Sequence, residues 1–361
     1  MRRAVLLGNA DTKRTLFLKQ AAEQEGLSVL FLGWKDWAEH LPDGELFLKI
    51  DPPLWRSCRL EELGQLTEAY RKELASISSV AKEKPLTFLN PPSVITELLN
   101  KRECKERLIR AGLPVTEFLD GNCGSRASDA VIRKNKDISG RVRIQNTEHL
   151  LEIMKENRVC QVFIKPVWGS GAAGVSAFRL HPGKGKMSLY TCALFKPEQG
   201  LINTKRLRCS ADAEEIRQFL DRLLSLDCVV ERWYAKAVYG NCAYDLRVVF
   251  QEGRVDYLLA RLSKGPITNL QLNNLPLASA ELGLSLKVRE QIEELCQKAA
   301  AEFPGLESAG IDILLEKKNL KPRIIEMNAQ GDLIYQDIYH ENSIYRRQAA
   351  RIKKWLSEPD G

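Results

Sequence analysis

Short apolar runs alternate with amphipathic segments near the start of the chain. The apolar runs 2–7 and 28–32 flank an amphipathic segment at 12–25. The order strand, helix, strand is typical of the opening of a doubly wound α/β unit. A helical pattern at 60–80 and a strand pattern at 86–89 continue it. We therefore predict an N-terminal α/β domain that ends near residue 92, where two prolines stop the pattern.

The rest of the chain contains both helical and strand patterns of hydrophobic residues. Residues 34–59 have no period and are predicted to be irregular, and the Gly-, Ser- and Asn-rich stretch 121–143 predicts a loop or weakly ordered strand. Residues 93–111 form a predicted helix with Ser93 as its N-cap and Gly112 at its end. The other segments are predicted as helices over 147–157, 210–225, 279–303 and 343–356, and as strands over 161–165, 175–180, 187–195, 228–232, 244–251 and 255–263.

An apolar, polar, apolar pattern near the C-terminus predicts a β-hairpin. If its strands pair Glu316 with Pro322, Asp312 faces Glu326, and Asn328 lies on the same face because side chains alternate along a strand. Opposed carboxylates repel each other. Mg²⁺ takes oxygen ligands from one or two carboxylates together with substrate phosphates. This face is therefore either a magnesium site or an acidic surface in water.

Composition and charge narrow the class of protein. The 361 residues allow two or three domains, and 44% hydrophobic with 28% charged residues is ordinary for a globular protein. No apolar stretch could span a membrane, and no signal-peptide pattern follows Met1. The nine cysteines are scattered without a C-x-x-C pair, which favours a reducing cytosol over disulfides or zinc. We expect a cytoplasmic protein without a membrane or nucleic-acid partner; the oligomeric state stays open.

The segment 169–174 reads Gly-Ser-Gly-Ala-Ala-Gly. A dinucleotide-binding fold needs this motif between a strand and a helix, but the residues that follow alternate like a strand. Glycines between two strands can instead form a flap, because backbone N–H groups without a neighbouring Cβ approach phosphate oxygens closely. Protein kinases place their lysine after such a flap. In this chain Lys165 precedes it.

A lysine followed by a glycine flap is the order of the ATP-grasp superfamily, which this chain resembles from about residue 90 to its end. Arg261 followed by Thr268-Asn269-Leu270 is also similar to a little-characterised bacterial subgroup. Further segments appear in the family's order, and together with the flap they make the resemblance specific: Asn100-Lys101, Phe163–Pro166, Val229–Tyr234, Tyr244–Val248, and Gly310–Asp312 with Glu326–Asn328.

The resemblance implies a fold and an activity. The fold is an α/β N-terminal (pre-ATP-grasp, Rossmann-like) domain over 1–92, followed by a two-lobed α+β ATP-grasp fold with a flap-bearing lobe over 93–232 and a metal-binding lobe over 233–361. The activity is that of an ADP-forming ligase, which uses ATP and Mg²⁺, or Mn²⁺ in its place. It would activate a small-molecule or peptide carboxylate as an acylphosphate and pass it to an amine or other nucleophile. A kinase, and a non-catalytic ATP-binding regulatory protein, are the alternatives.

The resemblance also implies roles for individual residues. The expected ligands of one or two Mg²⁺ ions are Asp312, Glu326 and Asn328. The expected phosphate contacts are Lys101, with Lys105 as its rival, and Lys165. The flap over the phosphates would be formed by Gly169, Ser170, Gly171 and Gly174. The adenine would be held by Glu231 and the backbone of Arg232 and Trp233.

Two arginines are the expected catalytic residues. Arg247 can form paired hydrogen bonds with a phosphate or carboxylate. Arg261 shares its face if the loop between the two strands has three residues, and does not if it has two. Each arginine could instead pair only with nearby acids.

Overall fold

The computed structural model of the protein describes residues 2–54, 57–119, 143–169, 171–183, 185–331 and 342–358. Its first sheet is parallel, with strand order β2-β1-β3-β4. The strands are β1 (Arg2–Gly8), β2 (Val29–Gly33), β3 (Glu45–Ile50) and β4 (Leu86–Phe88). The helices of this region are α1 (Lys13–Gln24) and α2 (Leu63–Val80). The predicted loop at 121–143 lies, except for Arg143, outside the described residues.

Strand β3 corrects the prediction that residues 34–59 are irregular. Because β3 lies between β1 and β4 in a parallel sheet, it is buried along nearly its whole length and does not alternate. It also contains Lys49, a residue that a sequence pattern assigns to the surface. Lys49 is 3% exposed and forms an ion pair with the buried carboxylate of Asp51. Because Lys49 is charged but paired inside the protein, the sequence pattern did not reveal β3 as a core strand.

Two helices replace the single predicted helix over 93–111. They are α3 (Pro92–Leu99), with Pro91 in place of Ser93 at its N-cap, and α4 (Lys101–Arg110). The chain is extended at Asn100, whose Oδ1 accepts hydrogen bonds from the backbone N–H groups of Arg102 and Glu103. Asn100 therefore ends one helix and caps the next, as its side chain favours.

The second sheet is antiparallel, with strand order β8-β7-β6-β5-β9. The helices α5 (Thr147–Glu156) and α6 (Ala213–Ser225) share one apolar core with it. Strand β8 was not predicted. It is an edge strand with exposed basic residues, and such strands lack the pattern of a buried one. The strands are β5 (Gln161–Pro166), β6 (Ser176–Leu180), β7 (Met187–Lys196), β8 (Gly200–Ser210) and β9 (Cys228–Arg232).

The third sheet has strand order β13-β12-β11-β14-β15, with β10 paired to β11. It shares its main apolar core with the first sheet, through residues such as Val5, Leu48, Leu246 and Ile313. The strands are β10 (Val238–Tyr239), β11 (Cys242–Gln251), β12 (Arg254–Ser263), β13 (Leu275–Ala278), β14 (Ser308–Leu315) and β15 (Pro322–Asn328). The helices are α7 (Leu286–Ala301) and α8 (Ser343–Ser357).

Helix α7 is shorter than the predicted segment 279–303. Ser285 caps it by accepting a hydrogen bond from Val288 N, and a separate 3₁₀ turn occupies Ser279–Leu282. In the described part of the chain, no helix combines the length and the apolar character that a membrane crossing requires.

Candidate functional site

A cleft between the second and third sheets brings together most residues that the sequence singled out. Ser170 lies outside the described residues. Gly174 and Trp233 are close to the cleft in the chain but do not line it. The predicted residues that do line it are Lys101, Lys165, Gly169, Gly171, Glu231, Arg232, Arg247, Arg261, Asp312, Glu326 and Asn328.

A β-bulge sets the register of the acidic hairpin. Leu315, not Glu316, pairs with Pro322 at the turn, so the predicted starting pair is wrong. The register shifts by one residue between Asp312 and Ile313, and Asp312 consequently pairs with Glu326 as expected. A bulge inserts one extra residue into one strand and redirects the side chains beyond it. The two carboxylates therefore face each other because of the bulge.

A second bulge places the two arginines on one face. The loop between β11 and β12 has two residues, and for that length the sequence predicted that Arg261 would not share the face of Arg247. The register shifts between Val249 and Phe250, so that Arg261 pairs with Asp245, two residues from Arg247 on the same strand. Side chains two residues apart share a face. Both arginines therefore point into the cleft.

Asp312 lies between the two arginines. Its Oδ2 is 3.0 Å from Nη2 of Arg261, and its Oδ1 is 2.7 Å from Nε of Arg247, although that second contact is not aligned as a hydrogen bond. Both arginines thus pair with an acid, as the alternative from the sequence allowed. They still line the cleft, and a carboxylate has enough lone pairs to bind another partner besides them.

Arg261 belongs to a buried network of ion pairs and hydrogen bonds. Asp245 Oδ1 accepts a 2.7 Å hydrogen bond from Arg261 Nε, and Lys236 Nζ lies 3.2 Å from Asp245 Oδ2. Thr268 donates its hydroxyl hydrogen to Asp245 and accepts from Lys236. Burial would raise the pKa of Asp245, but Arg261 and Lys236 outweigh it and hold that pKa far below its usual value. Sequence reasoning assigned no role to Lys236, since a lone lysine carries no pattern.

Glu231 joins both lysine-bearing segments. Its carboxylate, 3% exposed, is 2.8 Å from Nζ of Lys165 and 2.5 Å from Nζ of Lys105. Thr116 donates a 2.7 Å hydrogen bond to the same carboxylate. Burial would raise the pKa of Glu231, but the two lysine charges lower it to about 2. Because lysines occupy this carboxylate, an adenine contact on this strand would fall to backbone groups.

Lys101 and Lys105 occupy different environments. Lys105 is buried beside Glu231, does not line the cleft, and has its pKa lowered to about 8, chiefly by burial. Lys101, which follows the cap residue Asn100, lines the cleft. Its Nζ donates a hydrogen bond to the carbonyl of Gly169 and lies 3.8 Å from Oε1 of Glu326. This geometry favours Lys101 over its rival for a contact with a ligand in the cleft.

The glycine turn, which contains Gly169, Gly171 and Gly174, packs tightly against other parts of the chain. Gly171 has φ +66°, and a Cβ at this position would lie 2.4 Å from Oε1 of Gln271. Gly169 has φ +111°, and its Cβ would approach Leu63 at 3.0 Å. Glycine adopts such φ values without strain, whereas a residue with a Cβ rarely adopts them. The contact with Gln271, in the turn after β12, could not be read from the sequence.

The donor atoms of the acidic face decide whether it can hold a metal ion. In the described ranges, no three His, Cys, Asp or Glu side chains cluster as metal ligands. The available donors are the carboxylates of Asp312 and Glu326 and the amide oxygen of Asn328, whose Nδ2 lies 3.4 Å from Oε1 of Glu326. An all-oxygen set with two negative charges that lines an open cleft fits Mg²⁺, whose remaining ligands are commonly waters and phosphates.

Comparisons with known proteins agree on the fold. No family profile matches the sequence, and no curated protein matches it. The macrocyclase MdnC bound with precursor peptide MdnA from Microcystis aeruginosa MRC is 13% identical, with 98% of this chain and 100% of that chain covered and a TM-score of 0.59. D-cycloserine synthetase DcsG is 12% identical, with 97% and 99% covered and a TM-score of 0.58. The ATP-grasp ligase PsnB, complexed with a phosphomimetic variant of its minimal precursor, Mg and ADP, is 14% identical, with 97% and 96% covered and a TM-score of 0.52.

Proposed function

We propose that this chain, which has the ATP-grasp fold, is an ATP- and magnesium-dependent ligase that activates a carboxylate as an acylphosphate. An amine or another nucleophile would then displace the phosphate. In this proposal residues 1–92 form the preceding Rossmann-like domain, and the two ATP-grasp lobes are residues 93–232 and 233–361. The organic substrate is a small molecule or a peptide that carries a carboxylate.

One observation carries the proposal: cationic and oxygen-donor side chains face each other across a single cleft. Lys165 comes from β5 of the second sheet and Lys101 from the start of α4, where it donates a hydrogen bond to Gly169, while Asp312, Glu326 and Asn328 come from the third sheet. A nucleotide triphosphate with its magnesium needs both kinds of group, because its phosphates attract lysines and its metal attracts carboxylates. An acidic surface in water would not require cations on the opposite wall.

The chain's own residues would act by charge placement. Asp312, Glu326 and Asn328 would hold Mg²⁺, which when bound neutralises phosphate charge. Lys101 and Lys165 would hold phosphate oxygens, and the backbone of the glycine turn would cover them. Arg247 and Arg261 would orient the oxygens of the group in transfer, since a guanidinium binds phosphate or carboxylate through two hydrogen bonds. The Asp245 network would keep Arg261 in place.

The proposed reaction has two chemical steps. A carboxylate oxygen attacks the γ-phosphorus, the bond from that phosphorus to the β–γ bridging oxygen breaks, and ADP leaves. The nucleophile then attacks the acyl carbon, and inorganic phosphate leaves with the acyl C–O electron pair. An amine loses its proton in this step. Such chemistry needs electrostatic stabilisation and positioning more than a covalent catalyst.

The structural neighbours support this proposal by analogy. PsnB was solved with Mg and ADP, and MdnC was solved with a precursor peptide. Both share the fold over nearly the whole length of this chain. They favour a nucleotide in the cleft and a peptide among the substrates to be tested first.

The variant Glu326→Gln tests the proposal. We expect it to abolish ADP release from MgATP that depends on an added amino acid or peptide carboxylate, because it removes one negative charge from the metal site while the fold is retained. Glu316→Gln is the matched control, since Glu316 lies on the same hairpin but pairs with Arg323 away from the cleft. Unchanged turnover in Glu326→Gln would refute the assignment. A stable phosphorylated product would identify a kinase instead.

A further inference from the structure

A groove lies on the reverse side of the strand that carries Glu231. Its volume is about 710 Å³, within the size range of ligand pockets. Glu231 and Arg232 are neighbours on β9, so their side chains leave the strand on opposite sides. Arg232 is the one residue that lines both the groove and the cleft. The groove is therefore a second concave surface, separate from the proposed nucleotide site.

The groove has one apolar wall and one cationic wall. The end of α4 and the segment after it contribute Ile109, Leu113 and Phe118. Opposite charges are scarce, because Glu117 is the one acid among the described residues that line the groove. The cations come from three different parts of the chain, namely the turn after α5, β9 and β15: Arg158, Arg232 and Arg323.

The arginines keep hydrogen-bonding capacity for a ligand. Arg158 is exposed and has no acidic partner in the ranges that the structure describes. Arg232 Nε is 3.3 Å from Glu117 Oε2, but the atoms are not aligned as a hydrogen bond, and this buried Nε has no other partner. Arg323 is fixed by Glu316, by a 3.2 Å hydrogen bond from its Nη1 to Val115 O, and by stacking on Tyr234, with its guanidinium carbon 4.4 Å from the ring centre; its remaining N–H groups have no hydrogen-bond partner among the described residues. A guanidinium carries five N–H donors, so one fixed ion pair leaves others available.

The backbone beside the groove is rigidly held. Thr116 N donates to Ile324 O of β15 at 3.0 Å, and Leu119 N donates to Val230 O of β9 at 2.8 Å. The segment between them therefore bonds to both sheets. Its side chains divide between the two sites: Thr116 lines the cleft, while Val115 and Glu117 line the groove. A preformed surface of this kind can bind a ligand without first having to be ordered.

We infer that this groove is a second binding site, for an organic anion with an apolar body and a phosphate or carboxylate group. The arginines would bind the charged group, and the wall of Ile109, Leu113 and Phe118 would cover the apolar part. An inorganic anion uses the arginines alone, and a neutral molecule uses the apolar wall alone. The site therefore selects for both features in one ligand, independently of what the cleft binds.

Phenyl phosphate is the probe, titrated by calorimetry into the full chain at constant ionic strength. We expect it to bind about tenfold more tightly than inorganic phosphate, because its ring is removed from water against the apolar wall. Arg158→Gln should weaken its binding about tenfold through the loss of charged hydrogen bonds. Arg206→Gln is the control, since Arg206 is an exposed arginine on β8 outside the groove. Unfolding midpoints of both variants verify that they fold.

Lys165→Gln separates this site from the cleft. Phenyl phosphate binding should persist in that variant, because Lys165 lines the cleft and not the groove. Loss of binding in Lys165→Gln would place the probe in the cleft and overturn the inference. Equal affinities for phenyl phosphate and inorganic phosphate, full binding by Arg158→Gln, or no binding by the wild-type protein would overturn it as well. None of these outcomes depends on ATP turnover.

Discussion

Glu231 shows how one buried carboxylate can organise distant parts of a site. Its carboxylate forms ion pairs with Lys105 on α4 and Lys165 on β5, and it accepts a hydrogen bond from Thr116. Two lysines this close repel each other in a low-dielectric interior unless an anion lies between them. The sequence pointed to Glu231 as an adenine contact, and that stays a prediction. The structure adds that its side chain holds the proposed phosphate-binding lysine in position.

Glu231→Gln should lower the free energy of unfolding at pH 7 by about 3–5 kcal/mol, the usual cost of leaving a buried charge without its partner. Urea unfolding measures this. Glu294→Gln is the control, because Glu294 forms an ion pair with Lys298 on the exposed side of α7, and such pairs contribute little. Similar unfolding free energies for Glu231→Gln and the wild-type protein would contradict this view of the network.

The loss of unfolding free energy caused by Glu231→Gln should shrink as the pH rises from 6 to 8. Burial lowers the pKa of Lys105 to about 8, and the Glu231 charge is what keeps it from falling further. Without that charge the folded pKa drops while the unfolded value stays near 10.5. Below pH 8 the unfolded variant then binds more protons than the folded variant, so its stability rises with pH there, whereas Lys105 makes the stability of the wild-type protein rise only above about pH 8. A deficit that is constant or grows with pH would refute this.

Two β-bulges are the elements that assemble the cleft. One, in the β14–β15 pair, brings Asp312 opposite Glu326 although the turn starts one residue away from the expected pairing. The other, in the β11–β12 pair, turns Arg261 toward Arg247 although the loop has two residues. A shift of one residue moves every later side chain to the other face. Sequence periodicity predicted these strands but could not place an extra residue within them.

The helix break at Asn100 provides an element-scale prediction. Asn100→Ala should reduce the free energy of unfolding by about 1 kcal/mol, because α4 loses its N-cap. It should also weaken MgATP binding, since the adjacent Lys101 depends on this cap for its position. Asp212→Ala is the matched control: Asp212 caps α6 by accepting from Glu215 N, and it does not line the cleft.

Asp212→Ala should therefore show a comparable stability loss with unchanged nucleotide affinity. Calorimetric titration of both variants with MgATP makes the comparison. Equal nucleotide affinities in the two variants would show that the cap has no positioning role.

At the scale of the whole molecule, two of the three sheets, the second and the third, line the cleft. The first and third share an apolar core. The 3₁₀ turn Leu60–Glu62 and the start of α2 reach the second sheet: Leu60 and Leu63 pack on the glycine turn, and Glu61 accepts a hydrogen bond from Leu201 N of β8. The predicted ATP-grasp fold is confirmed by solved structures aligned over nearly the full chain. The Rossmann-like character of the N-terminal region stays a prediction.

A ligand that contacts the second and third sheets together should stabilise the whole chain. We expect MgATP at one hundred times its Kd to add about 2.7 kcal/mol to the free energy of unfolding. AMP, which lacks the β- and γ-phosphates, should give a smaller increase at equal concentration, because it cannot reach the lysines and the acidic hairpin together. Thermal unfolding with each ligand tests this. An equal shift with AMP would contradict the placement of the phosphates between the two sheets.

The sequence alone determined those features that depend on neighbouring residues. The hairpin, the glycine turn, most strands and the order of the charged segments follow from side-chain alternation, from positive φ at glycine and from short-range spacing. The order of these segments was enough to indicate the fold family. Local patterns suffice here because each element carries its own periodicity.

Only the tertiary structure decided which charges pair. The contacts of Glu231 with Lys105 and Lys165, of Asp245 with Lys236, and of Gly171 with Gln271 join segments that are far apart in the chain. The two β-bulges depart from the regular alternation by which strand faces are predicted, and the buried Lys49 departs from the rule that lysines lie at the surface. Burial makes a charge costly without a partner, so the packed molecule selects partners that no spacing rule encodes.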